Sequence, residues 1–212
     1  MDIVSSVHLM LNGKIYLDNK SVISAIKYFM EQGIGGVRIG PQHLPLIEKL
    51  NRVPNLYLSV DHNRGLNDTC SKLMMMDYYW GRYGHKLAGI DCFPNSHHIY
   101  NNDLQSLKDE TEKLFTKQQI PINICVDLQF FEDNFLESYI RYVTGFVTDK
   151  TRIILGNSRL ATENTILFSR KHGSHFGVFG NFSNESFIQA MKNKIDPICL
   201  SINNINQLFE ME

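Results

Sequence analysis

The chain has 212 residues, of which 43% are hydrophobic and 20% charged, and its formal net charge is −1. That composition excludes a chain disordered as a whole, which needs low hydrophobicity and high net charge, and the length suffices to bury a full core. A near-neutral balance argues against nucleic acid or an anionic membrane surface as a partner.

Strand-like runs and helical segments alternate along the whole chain. Run 4–10 is followed by helix 21–32, whose apolar residues Val22, Ile23, Ile26, Phe29 and Met30 precede Gly33 as a stop signal. Run 36–39 leads to a short helix, 44–50. Run 56–60 leads to a Met-rich helix, 67–83, and run 87–92 to helix 103–117, which carries Leu104, Leu107, Leu114 and Phe115. Runs 122–127, 152–155 and 176–179 precede helices 133–143, 162–171 and 185–194, each with a polar cap before it. Run 197–201 and helix 204–210 close the series. Most of the runs are continuously apolar, as in parallel strands buried on both faces. Segment 145–150 has strand-like composition, but no helix separates it from 152–155, so it reads as a loop. Eight strands, each followed by a helix, predict one (β/α)8 TIM barrel over residues 1–212; the alternative is an open, doubly wound sheet.

The beginning of the chain lacks the basic and apolar segments of a secretory signal, and no stretch approaches 18 apolar residues, so no membrane span is expected. Cys70, Cys92, Cys125 and Cys199 form no Cys-x-x-Cys pair, and three of them lie in apolar runs. They read as reduced thiols, three of them buried, in a cytoplasmic protein. The Tyr78-Tyr79-Trp80 cluster, with Tyr83, reads as packing or as a contact in a homo-oligomer.

In such a barrel the active site forms at the C-terminal ends of the strands. Polar residues collect where each apolar run ends. They include His8, Arg38, the Asp61-His62-Asn63 sequence, Asp91, Asp127, Asn157, the turn Gly180-Asn181-Phe182-Ser183, and Ser201 with Asn203. Asp61 and Asp91 are candidate proton-transfer groups if their surroundings separate their affinities. His62 and Asp127 could assist them. Arg38, inside an apolar strand, needs a carboxylate partner such as Asp61 or a substrate oxyanion. Gly180, Asn181 and Ser183 precede a helix after the seventh strand, where barrels bind phosphate; residues 201–204, with Ser201 and Asn203 as the binding candidates, face that turn from the eighth. The other reading of Ser183 is an ordinary N-cap. His8, Asn63 and Asn157 complete the expected binding set. No cofactor motif is present, so none is expected; the alternative is a divalent metal held by His62, Asp91, His97 and His98. His97 and His98 are expected in a loop.

Three short motifs resemble the ribulose-phosphate-binding barrel superfamily, and within it the N-acylglucosamine-6-phosphate 2-epimerase family. They are Gly33-Ile34-Gly35-Gly36-Val37-Arg38, Gly89-Ile90-Asp91 and Phe179-Gly180-Asn181 before a helix. The resemblance implies a cytoplasmic barrel with a phosphate site. The family's third-strand lysine is matched by Asp61, its glutamate before Gly-Asn by Phe179, and its paired glycines after the eighth strand are absent. A base, on this reading, is Asp61 or Asp91. The expected function is a cofactor-independent isomerase, epimerase or lyase acting on a small phosphorylated or anionic carbohydrate-like substrate. The alternatives are a metal-dependent hydrolase or lyase, and a non-catalytic barrel that binds a ligand or assembles with a partner.

Overall fold

Eight parallel strands hydrogen-bond in sequence order, and the eighth returns to the first, closing the barrel. The computed structural model describes residues 5–11, 19–50, 53, 55–60, 68–116, 119–148, 151–156, 171 and 176–209. The strands are β1 Val7–Leu11, β2 Gly36–Ile39, β3 Leu56–Ser59, β4 Gly89–Cys92, β5 Ile122–Asp127, β6 Arg152–Gly156, β7 Phe176–Phe179 and β8 Ile198–Leu200. The helices are α1 Asn19–Glu31, α2 Leu44–Ile47, α3 Thr69–Tyr83, α4 Ser96–Tyr100, α5 Leu104–Thr116, α6 Asp133–Val143, α7 Asn184–Lys192 and α8 Ile202–Phe209. The helix expected over 162–171 lies outside the described residues except for Lys171. Residues 144–146 form a 3-10 turn and 147–148 are irregular, so the described part of segment 145–150 is a loop, as its composition left open.

The period-2 geometry of each strand sorts its side chains between two cores. Leu9, Val37, Leu58, Ile90, Val126, Leu155, Val178 and Ile198 have no exposed surface and belong to the large core that includes residues of the surrounding helices. Val22, Ile26 and Phe29 bury one face of α1, spaced four and three residues apart. Gly33 ends that helix at φ 87°, with Gly33 N–H donating to Met30 and Ile34 N–H to Phe29, a glycine-terminated Schellman closure. Side-chain caps open later helices as well: Asp68 accepts from Ser71 N–H, Asn95 from His97 N–H and Ser183 from Ser186 N–H.

The alternate strand positions face the barrel axis, and they are not uniformly apolar. His8, Arg38, Ser59, Asp91 and Asn123 are all buried. The reading of the strands as continuous apolar runs is corrected here: in β5, Ile122, Ile124 and Val126 alternate with Asn123, Cys125 and Asp127. Among the described residues, no helix is long and apolar enough to cross a membrane.

Candidate functional site at the centre of the barrel

Arg38 and Asp91 form the polar centre. Arg38 is the third residue of β2 and Asp91 the third of β4, and both point to the axis across intervening β3. Arg38 Nη1 donates to both Asp91 carboxylate oxygens at 2.5 Å. Asn123 Nδ2 adds a third hydrogen bond to Asp91 Oδ1 at 2.8 Å. The two side chains are 2% and 1% exposed, so the pair is shielded from bulk solvent. Tyr57 lies under the guanidinium, with its ring centre 4.3 Å from Arg38 Cζ, a cation–π contact. Burial opposes the charge on Arg38, but Asp91 more than offsets it and holds the guanidinium protonated above its ordinary range. The sequence reading offered Asp61 as the partner of Arg38; the partner is Asp91, brought opposite by the barrel's closure.

His8 is also corrected. It stands at the second position of β1, paired with Gly36, and thus toward the N-terminal side rather than at the strand's exit. Its ring stacks on Tyr57 with centroids 5.6 Å apart. Burial, reinforced by Arg38 and Arg152, pulls its pKa down to about 3, so the imidazole is neutral at physiological pH.

Above the ion pair lies a small cavity. Arg38 and Asp91 line it, with Met10, Phe93, Cys125, Ile154, Phe179 and Cys199. It has about 10 Å³ of free space, roughly enough for one water molecule. Phe93 and Phe179 meet edge to face above it, with centroids 6.2 Å apart. Burial drives the Cys125 thiol well above its usual pKa and pushes Cys199 up to about 11, so both are protonated thiols.

The rim residues are largely engaged with the chain itself. Asp127 ends β5 and accepts from Gln129 N–H at 3.3 Å and from Gln129 Nε2 at 2.8 Å, capping its own turn. Gly180 has φ 146°, a backbone region that favours glycine. Asn181 is exposed. The Phe182 N–H, which a phosphate could have used, donates to buried Asn204 Oδ1 at 2.8 Å, and Asn204 Nδ2 returns to Phe182 O at 2.9 Å. The Ser183 and Ser201 hydroxyls cap α7 and α8, accepting from Ser186 and Asn204 N–H. Asn203 is exposed on α8. Asp61, His62, Asn63 and Asn157 lie outside the described residues.

His97 and His98 occupy helix α4 rather than a loop, because Asn95 supplies an N-cap. His97 is exposed and contacts Asn101 Nδ2. Among the described residues, no three His, Cys, Asp or Glu side chains are placed to share a metal ion. His97 and His98 therefore form no such group with Asp91.

Sequence reasoning missed three interior side chains and a second buried ion pair. Tyr57, Ser59 and Asn123 complete the polar interior, and only strand alternation could have signalled them. Asn204, expected within 201–204 to face the Gly180–Ser183 turn, does so through its two hydrogen bonds to Phe182. A second buried ion pair joins Lys72 of α3 to Glu110 of α5 at 2.7 Å. Lys72 Nζ also donates to Phe93 O at 2.8 Å, and Glu110 Oε2 accepts from Asn95 N–H at 3.0 Å. Together they anchor the loop that carries Phe93.

No protein-family model and no curated protein sequence matches the chain. Solved structures do. The aldolase QR15 superposes with TM-score 0.72 at 14% identity, over 94% of this chain and 89% of its own. The tetrameric deoxyribose phosphate aldolase of Aeropyrum pernix gives TM-score 0.69 at 12% identity, over 97% and 89%. A catalytic-lysine mutant of the sialic acid aldolase of Ruminococcus gnavus gives 0.57 at 12%, over 92% and 66%. All three are aldolases rather than epimerases. At such identities the likeness speaks for the fold, and it agrees with the strand pairing: the chain is a closed (β/α)8 barrel that superposes on aldolases over nearly its whole length.

Proposed function

We propose that this barrel is a lyase that cleaves or forms a carbon–carbon bond in a small anionic carbohydrate-like substrate. The observation that carries this reading is the buried Arg38–Asp91 pair at the floor of a cavity on the axis of an aldolase-like barrel. The likeness to three aldolases supports the reaction class.

Among the described residues, none of the eight strands carries a lysine. In the proposed reaction the ion pair carries the chemistry. In the cleavage direction, the Asp91 carboxylate takes the proton of a hydroxyl β to the substrate carbonyl. The carbon–carbon bond breaks, and its electron pair passes into the carbonyl to give an enolate. Arg38 offsets the developing negative charge, which stabilises the transition state more than the ground state. The proton on Asp91 then returns to the enolate carbon. The same groups would carry out an isomerisation by moving a proton α to the carbonyl. The substrate's anionic end faces the rim, near Asn181 and the start of α7.

A second reading, a non-catalytic ligand-binding or assembly barrel, is favoured by the narrow cavity beneath Phe93 and Phe179. Proton exchange distinguishes the two. Incubation of short sugar phosphates and 2-oxo acids in deuterated water is expected to put deuterium α to the carbonyl with the wild type and not with Asp91→Asn. Absence of exchange from every substrate offered to the wild type supports the second reading.

A further inference from the structure

The guanidinium of Arg38 is only partly used. Nη1 serves Asp91, but Nε and Nη2 have no hydrogen-bond partner among the described residues, although Arg38 is only 2% exposed. These two nitrogens form the side edge of the guanidinium, a planar fork that presents two parallel N–H groups. Ser59 Oγ and His8 Nδ1 are likewise buried without a partner among the described residues. Buried donors left without acceptors cost about 1–3 kcal/mol each, so the two Arg38 nitrogens call for an acceptor.

Charge selects that acceptor. Asp91 already neutralises Arg38, and His8 is neutral, so a second buried anion would stand uncompensated. A dipolar oxygen carries no such penalty. The cavity has about 10 Å³ of free space, so one oxygen atom fits beside the ion pair while the rest of its molecule stays toward the rim; charge, rather than size, keeps a phosphate out. Met10, Phe93 and Phe179 offer apolar contact around that oxygen.

We infer that the Nε–Nη2 edge of Arg38 is a subsite for the carbonyl oxygen of an uncharged aldehyde or ketone group, and that phosphate does not enter it. The inference rests on the proposed lyase reading only in identifying that carbonyl as the reacting one. It divides the substrate in two, with the carbonyl at the floor and the anion at the rim.

Two experiments test it with the intact chain. Crystals are soaked separately with dihydroxyacetone and with inorganic phosphate. The expected result is a dihydroxyacetone oxygen within hydrogen-bond distance of Arg38 Nε and Nη2, with no phosphate there. Phosphate on that edge, or dihydroxyacetone bound only elsewhere or not at all, overturns the inference. In solution, Arg38→Lys keeps the positive charge opposite Asp91 and removes the fork. Dihydroxyacetone affinity is expected to fall at least tenfold in this variant; unchanged affinity overturns the subsite. If the lysine variant does not fold, the soaked crystals decide alone. Failure of the lyase reading looks different: the carbonyl is seen on Arg38, yet no deuterium is exchanged.

Discussion

Replacing Arg38 by Met leaves Asp91 buried with only the Asn123 hydrogen bond, at 1% exposure. Removing one partner of a buried ion pair costs about 3–5 kcal/mol, because an uncompensated charge stays in a low-dielectric interior. For a chain of this length, each kcal/mol lowers the melting temperature by about 2–4 °C, so Arg38→Met is expected to melt roughly 6–20 °C below wild type. The double variant Arg38→Met/Asp91→Leu removes both charges and fills the space with apolar atoms. Such replacements are often neutral or stabilising, so it should recover most of that loss. Urea unfolding at pH 7, followed by circular dichroism, measures both. A single variant within about 1 kcal/mol of wild type would show that bulk solvent reaches the carboxylate and refute the buried pair. A double variant no better than the single would show that the loss comes from packing rather than from the orphaned charge.

Three further outcomes follow from named contacts. Lys72→Met orphans Glu110 and frees Phe93 O; a loss of about 3–5 kcal/mol is expected, and Lys72→Met/Glu110→Leu should recover part of it in the same assay. Asn204→Ala strips the Phe182 N–H and C=O of their partners and should cost about 2 kcal/mol in urea; a change under half a kcal/mol would mean that water replaces the side chain. The pKa of His8 is about 3 in the folded chain, below its unfolded value, so the unfolded state takes the proton first. Its contribution is whole above about pH 6.5 and is lost as pH falls toward 3, at up to about 1.4 kcal/mol per pH unit. Urea midpoints of His8→Phe should therefore fall less steeply across that window than those of wild type, and parallel profiles would contradict the assignment.

The fold was largely legible in the sequence. Apolar stretches of four to seven residues, separated by amphipathic segments with caps and stop glycines, leave few arrangements other than a barrel. The predicted strands 36–39, 122–127 and 176–179 match β2, β5 and β7 residue for residue. Helix α4 escaped notice because five residues give no period to detect; its one signal was Asn95, a capping residue. The interior was harder to read. His8 and Asn123 each sit between two aliphatic residues, and a run so rich in apolar residues masks its own alternation. The partner of Arg38 could not be found from spacing, since 53 residues separate it from Asp91 and only closure of the barrel brings them together. At the rim, Ser183 was correctly legible as an N-cap, the reading that competed with phosphate binding. Asn204 belonged to the strand-eight exit expected to face that turn, and it does so by pairing with the backbone of Phe182.

The central claim is that Arg38 and Asp91 form a reaction centre rather than a structural tie. Deuterium incorporation α to the carbonyl, followed by proton NMR in deuterated water, tests it most directly. It compares wild type with Asp91→Asn at a temperature where unfolding curves show both folded. The account predicts exchange by the wild type that drops at least a hundredfold in Asp91→Asn. A folded Asp91→Asn protein that exchanges as fast as wild type would contradict it.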